Sequence, residues 1–341
     1  MLKLVKELCA LPGVSSSEDA VRAFLMERAA PFADEMRVDA MGSLIVFKRG
    51  KKPTGNKLML AAHMDEVGLI IRSITEEGYL KFDAIGGINR RVLLGKAVEI
   101  GPNKVKGVIG LKAYHLVSRE EEKTVPKLET FYIDIGAKNK AKAEKLVSVG
   151  DCGVFVSDCV EFGAGMLKAK ALDDRIGCAV MLKLLEEELP MDCTFVFTVQ
   201  EEVGTRGAFG AAFSVTPELA LILETTTAAD LPGVEGHQKV CSPGKGPVIP
   251  FMDNGSVADR GLFELLRDTA EENGIPWQTK HYIAGGNDAS AVQRSKAGVR
   301  TVTLSAAVRY LHAPASVASI QDMEQILKLT RHFLKAVADR V

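Results

Sequence analysis

The sequence predicts an α/β protein whose mostly parallel sheet is interrupted by a small, β-barrel-like insert. Three observations carry this expectation. Apolar strand-like runs alternate with amphipathic helical stretches in the later half of the chain, the signature of a largely parallel sheet with crossover helices. From about Val67 to Phe162 the texture changes to short β-rich pieces punctuated by glycine (GLIIRSI, YLKFDAI, KAVEIG, KGVIGLK, FYIDIGA, GVFVS), as a small barrel or sandwich requires. A length of 341 residues suits about two domains. The expected division places residues 1–65 and 163–341 in one α/β domain, with 66–162 inserted between them.

The elements follow in order. The opening reads as helix, loop, helix, with Ser15 and Glu18 spaced as a capping box ahead of AVRAFLMERAA. MRVDAMGSLIVFKRG reads as two strands joined at Met41-Gly42, and LMLAAH as a buried strand. Inside the insert one helix is expected near NKAKAEKLV. After Leu172 come helix RIGCAVMLKLLEEEL, strands TFVFTVQ and LALILE, helix VADRGLFELLRDTAEEN, strand RTVTLS, and a last helix from about Asp322 to Asp339. The run Glu186-Glu187-Glu188 reads as a solvated helix end.

Bulk properties exclude several function classes. Forty-three Lys and Arg against 44 Asp and Glu leave a net charge of −1, so there is no electrostatic case for nucleic acid or an anionic membrane. Six scattered cysteines without a CxxC pair read as free buried thiols. The N-terminal stretch carries charges within its apolar run, unlike a signal peptide. No run reaches the ~18 apolar residues of a membrane span, and a cytoplasmic location is expected.

The chemistry-bearing residues fall at strand ends. LMLAAH stops on His63, followed by Met64, Asp65 and Glu66. KALDDRIG places Asp173 and Asp174 just before a helix, where a plain N-cap is the alternative. TFVFTVQ ends in Glu201-Glu202, LALILE carries Glu224, and His312 lies in the loop after RTVTLS. In open α/β sheets ligands bind beyond the carboxyl ends of the strands, so these side chains would gather at one rim. Two histidines with several carboxylates form a mixed N/O set suited to Zn²⁺ or a similar ion. The set holds more ligands than one tetrahedral ion uses; two ions sharing a carboxylate would use it fully. Asp65 is placed to hold the other ring nitrogen of His63, with direct ligation as the alternative.

AAHMDEVG, KALDDRIG, TVQEEVGTRGA, LETTTAADLPG, GGNDASAVQ and RYLHAPAS, in this order and spacing, resemble the M42 family of metallo-aminopeptidases, the glutamyl and deblocking aminopeptidases, some of whose members are named endoglucanases. The likeness runs from LPGVSSSE to RYLHAPAS, nearly the whole chain, and the six motifs together are highly specific. It implies a zinc-exopeptidase-type α/β domain with a β-barrel-like insert that contributes to assembly. It also implies two divalent ions per subunit, zinc or cobalt, with manganese also suited. Carried onto this chain, His63 and Glu224 bind one ion, Glu202 and His312 the other, and Asp173 bridges. Glu201 is the general base toward a water between the ions, with Asp65 supporting catalysis. The family often has Asp where this chain has Glu224, and Asp174 is not a ligand.

The substrates implied are peptides with a free N-terminus. The assembly implied is a homo-oligomer built from dimers, up to hollow dodecamers. Arg309 and Gly285-Gly286-Asn287-Asp288 are candidates for the pocket wall; a salt-bridged arginine and a tight turn are the alternative. The rival activities are a bimetal deacylase or carboxypeptidase and, less favoured, a glycoside hydrolase. Acid pairs suit glycoside hydrolysis, but one Trp and 6% aromatics offer few sugar platforms.

Overall fold

The computed structural model describes residues 1–340. Helices Leu2–Ala10 and Asp19–Ala29 lead into strands β1 (Glu35–Val38), β2 (Leu44–Lys48) and β3 (Leu58–His63). Next come β4 (Gly68–Ile74), β5 (Leu80–Ile85), β6 (Ala97–Ile100), β7 (Val105–Gly110), β8 (Tyr132–Asp134) and β9 (Cys152–Phe155). These six close into a barrel in the order β4-β5-β8-β7-β6-β9. Its interior is filled by residues such as Leu69, Phe82, Val98 and Ile133. The helix expected near NKAKAEKLV contracts to a single turn, Lys140–Ala143, capped by the Asn139 side chain.

The remaining strands are β10 (Val160–Phe162), β11 (Met166–Ala169), β12 (Cys193–Thr198), β13 (Leu219–Thr227), β14 (Arg300–Arg309) and β15 (Ser316–Ser319). With β1 to β3 they form a nine-stranded sheet in the order β1-β2-β12-β3-β13-β14-β15-β11-β10. Its four central strands, β12-β3-β13-β14, run parallel, and both flanks are antiparallel. Val160–Phe162 pairs with β11, which ties the last residues of the 66–162 stretch to this sheet.

The central strands are apolar throughout because both faces are covered, and side chains alternate between the two faces. Leu58, Leu60 and Ala62 of β3 enter one core with Phe195, Phe197, Leu221 and Leu223. Met59 and Ala61 enter the opposite core with Val196, Ala220 and Ile222. Counting on by twos puts His63, Thr198 and Glu224 on that second face. It is the face covered by helix Arg206–Val215 and the short helix Ala289–Val292. The strand period therefore aims three polar side chains the same way as the sheet ends.

The capping box expected of Ser15 and Glu18 does not form. Helix Asp19–Ala29 starts without a side-chain cap. Ser15 Oγ instead donates to Asp65 Oδ2 at 2.6 Å, and Glu18 accepts from the N–H groups of Ser16 and Gln200. Buried carboxylates need donors, and here that demand outweighs a local cap.

Candidate metal centre and active site

His63 closes β3 and is buried, as is Asp173. Its Nδ1 faces the Asp65 backbone carbonyl at 3.1 Å. A carbonyl oxygen only accepts, so Nδ1 carries the proton and Nε2 is turned inward. That Nε2 lies 3.2 Å from Asp173 Oδ1 and 3.5 Å from Glu224 Oε1. His312 repeats the arrangement: Nδ1 faces the Gly87 carbonyl at 3.3 Å, and Nε2 lies 3.3 Å from Asp173 Oδ2 and 3.2 Å from Glu202 Oε2. Asp173 thus offers one oxygen to each histidine.

Asp173 and Asp174 divide the work expected of a helix start. Asp174 Oδ1 accepts from the Gly177 N–H at 3.0 Å, as a cap does. Asp173 takes the other direction, held by Thr225 Oγ1 at 2.7 Å. The turn after β12 is held by Asp65, whose carboxylate accepts from the backbone N–H groups of Glu201 (3.0 Å) and Glu202 (3.2 Å). Asp65 also lies 3.5 Å from His63 Nδ1 through its carboxylate, farther than through its own carbonyl. Ala171, Gln200, Thr205 and His312 all have left-handed φ between 53° and 56°. Such backbone costs on the order of 1–3 kcal/mol per residue and collects at functional sites.

The charges are crowded. Burial pushes the Glu202 carboxyl up to about 8, with the Asp173 charge adding to it. Burial pushes Glu224 up to about 7 against the pull of His63. Burial, followed by the charges of Glu224, Asp288 and Glu202, drives Glu201 well above the usual carboxylate range. For Asp173 burial also opposes ionisation, but hydrogen bonds from His312 and His63 hold it well below that range. Burial disfavours a charged His312, yet Asp173 and Glu202 raise it to about 9.

A cation among these groups would relieve the repulsion between carboxylates. The ligand-capable atoms of His63, Asp173 and Glu224 lie within 4.8 Å of one another, and so do those of Asp173, Glu202 and His312. Imidazole nitrogen with carboxylate oxygen is the donor set that Zn²⁺ and similar ions take. The residues fit two sites that share Asp173. A cavity of about 240 Å³ opens on them, lined also by Glu201, Asp253, Lys280 and Asn287.

The profile of the family described as M42 glutamyl aminopeptidase matches residues 42–329. The chain belongs to the M42 family. A lysyl aminopeptidase of Pyrococcus furiosus is 31% identical over 342 residues, covering 98% of this chain and 96% of the relative. An aminopeptidase from Desulfurococcus kamchatkensis superposes with a TM-score of 0.93 at 36% identity, over 98% of this chain and 94% of the other. The TET1 peptidase of Pyrococcus horikoshii, which assembles into a tetrahedron or a large octahedral shell, superposes with a TM-score of 0.86 at 34% identity. That match covers 99% of this chain and 98% of the other. The M42 chain is an aminopeptidase, a hydrolase acting on peptides.

Several residues of this M42 site were not foreseen. Ser15 reads as a cap, Thr225 carries no signal beyond its place within LETTTAADLPG, and Lys280 none beyond its position ahead of GGNDASAVQ. Gly87 comes from the barrel, between β5 and β6. Arg309 follows the alternative reading: it forks onto Asp230 at 2.6 and 2.7 Å and does not line the cavity. Gly285, Gly286 and Asn287 do line it. Asp288 sits beneath, bonded to Thr198 Oγ1 at 2.5 Å.

Proposed function

We propose that this chain is a two-metal aminopeptidase that removes the N-terminal residue from peptides. His63 and Glu224 hold one divalent ion, Glu202 and His312 the other, and Asp173 bridges them; zinc or cobalt suits the set, as does manganese. The observation that supports this reading is the placement of Asp173, with one carboxylate oxygen facing His63 at 3.2 Å and the other facing His312 at 3.3 Å. Two divalent ions would acidify water and stabilise negative charge on the attacked carbonyl oxygen.

This chain's own residues do the rest. Glu201 borders the cavity, and a carboxyl that burial lifts above the usual carboxylate range is suited to accept a proton from the attacking water and pass it to the departing amine. Its neighbour Glu202 turns to His312 instead, so adjacent acids keep separate roles. Asp65 supports both by holding their backbone N–H groups and by orienting His63.

Glu201→Gln tests the assignment. It is expected to lower kcat by about 10²–10⁴-fold while metal analysis of the purified variant still finds two ions per subunit. Near-normal kcat, or loss of the ions, would overturn it.

By analogy with the TET1 peptidase, the chain assembles with copies of itself, and residues 66–162 form an inserted assembly domain beside a catalytic domain of residues 1–65 and 163–341. The exposed side chains of Phe251, Val257 and Tyr282 offer further apolar surface for it. Native mass spectrometry is expected to find multiples of 36.7 kDa; a single chain at working concentration would defeat this part. The free thiols and balanced charge suit the cytoplasm.

A further inference from the structure

Beside the metal centre lies a cluster of charges that the mechanism does not use. Glu66, Lys170 and Arg175 are 3%, 8% and 0% exposed, so all three are largely cut off from water. Glu66 follows β3, next in the chain to Asp65. Lys170 and Arg175 bracket Asp173 at the corner between β11 and helix Leu172–Leu185.

The Glu66 carboxylate accepts from Lys170 Nζ through both oxygens, at 2.7 and 2.9 Å. Its Oε1 lies 3.5 Å from Arg175 Nη2 and accepts the Gly13 N–H at 3.1 Å. Both cations reach on to the N-terminal segment: Lys170 donates to the Leu11 carbonyl at 2.8 Å, and Arg175 to the Leu8 carbonyl at 2.7 Å. The guanidinium lies so close to the chain that a Cβ on Gly13 would come within 2.6 Å of it. The backbone makes the same junction. The Glu66 N–H donates to the Gly13 carbonyl at 2.9 Å, and the Glu66 carbonyl accepts from the Ser15 N–H at 3.3 Å. Ser15 is thereby held where its Oγ meets Asp65.

Stability alone is a poor reason for such a cluster. Taking charges out of water is expensive, and apolar residues of similar volume often hold a fold as well as a buried ion pair does. What the charges add is direction, because charge-assisted bonds are short and geometrically specific. Here they join three segments: the strand end with His63 and Asp65, the corner with Asp173, and the stretch 8–15 with Ser15. The 3.2 Å between His63 Nε2 and Asp173 Oδ1 spans the first two.

We propose that Glu66 is a positioning residue of the metal centre: by gripping Lys170, Arg175 and Gly13 together, it fixes the segment of His63 and Asp65 against the segment of Asp173. It acts through those residues and touches neither ion nor substrate. The inference rests on the two-metal reading of the site.

The test compares Glu66→Asp with a control. Aspartate keeps the charge but is a methylene too short to hold Lys170 and the Gly13 N–H at once. Asp192→Asn is the control. Asp192 is also buried and accepts from the N–H groups of Gly50, Thr54 and Gly55 at 2.9, 3.0 and 2.9 Å, but it sits at the opposite end of β12 from Glu201. Both variants are expected to lower the Tm of the chelated chain. In calorimetric titration of the chelated, full-length protein with Zn²⁺, Glu66→Asp is expected to bind about 10-fold more weakly, the lower end of the loss when partners of metal ligands are removed. Asp192→Asn is expected to bind as the wild type does. At saturating Zn²⁺, Glu66→Asp should lower kcat by a similar factor with KM unchanged, on whichever aminoacyl-p-nitroanilide the wild type cleaves best. Lys170→Gln reads the same grip from its other end, keeping a donor for the Leu11 carbonyl, and should show the same losses should Glu66→Asp not fold.

Wild-type affinity and kcat in either folded variant overturn the proposal. So does a loss of affinity that Asp192→Asn shares, since any loosening of the fold would then produce it. The two readings fail separately. A wild type that binds no Zn²⁺ and keeps its turnover under chelation defeats the two-metal reading. A wild type that binds two ions, with Glu66→Asp binding them as tightly, defeats Glu66 alone.

Discussion

Asp65 shows how much one buried carboxylate organises. It is fully buried and accepts from Ser15 Oγ and from the N–H groups of Glu201 and Glu202, while its carbonyl fixes His63. Burial would keep it neutral, but its bonds to His63, Ser15 and the Glu201 backbone hold it below the usual range. Asp65→Asn preserves shape but turns an NH₂ group toward one of those donors. Metal affinity should fall about 10- to 100-fold, as when outer partners of metal ligands are lost, with kcat falling alongside. Metal titration followed by calorimetry checks this, and unchanged affinity would make Asp65 a purely structural anchor. Residues at this scale were legible where they interrupt an apolar run. His63 and Glu224 stand out because five buried residues precede each, and Glu201-Glu202 because the pair follows the buried run of β12. Ser15 and Lys280 sit in polar, loop-like surroundings, where nothing in local spacing separates a donor aimed inward from one aimed at solvent.

At the scale of elements, the site is a consequence of register. β12, β3 and β13 run parallel with Thr198 beside His63 and Ile222 beside Ala61, so their carboxyl ends arrive at one rim. The alternation of the strands then sends His63 and Glu224 to the same face. These strands were readable because runs buried on both faces are continuously apolar. Helix Arg206–Val215 was not foreseen: RGAFGAAFSV has small residues where a helical stripe would need large ones. Its Gly207 is required by proximity, since a Cβ there would meet the Val199 backbone carbonyl at 2.4 Å. The barrel loop at Gly87 is a second such case. A Cβ on Gly87 would come within 3.2 Å of His312 Nδ1, so the insert reaches the catalytic rim through backbone alone. A carbonyl contact of that kind leaves no residue signature, and composition marked the stretch only as β-rich.

Across the whole molecule, the crowded carboxylates couple metal occupancy to stability. In the chelated chain Glu202 and Glu224 titrate near 8 and 7, against an ordinary 4.5. The folded state then binds protons more tightly than the unfolded one, so their contribution to stability declines as pH rises from about 4.5 and levels off above about 8. His312 acts in the same direction: raised to about 9 from 6.5, its stabilising contribution is full below about 6.5 and lost as pH passes about 9. Asp173 is depressed; its contribution is present above the ordinary 3.8 and is lost only in stronger acid. Between pH 5 and 9 the chelated chain should therefore melt at progressively lower temperature. Divalent ions remove that slope, because ligation favours ionised carboxylates and neutral imidazoles. Saturating metal at about 1,000 times its Kd adds ~4 kcal/mol, about 6 °C in Tm for a chain of 341 residues. Scanning calorimetry across that pH range, with and without chelator, should show the gap widening toward pH 9. Parallel curves would mean that the ions bind somewhere other than among Asp173, Glu202, Glu224 and the two histidines.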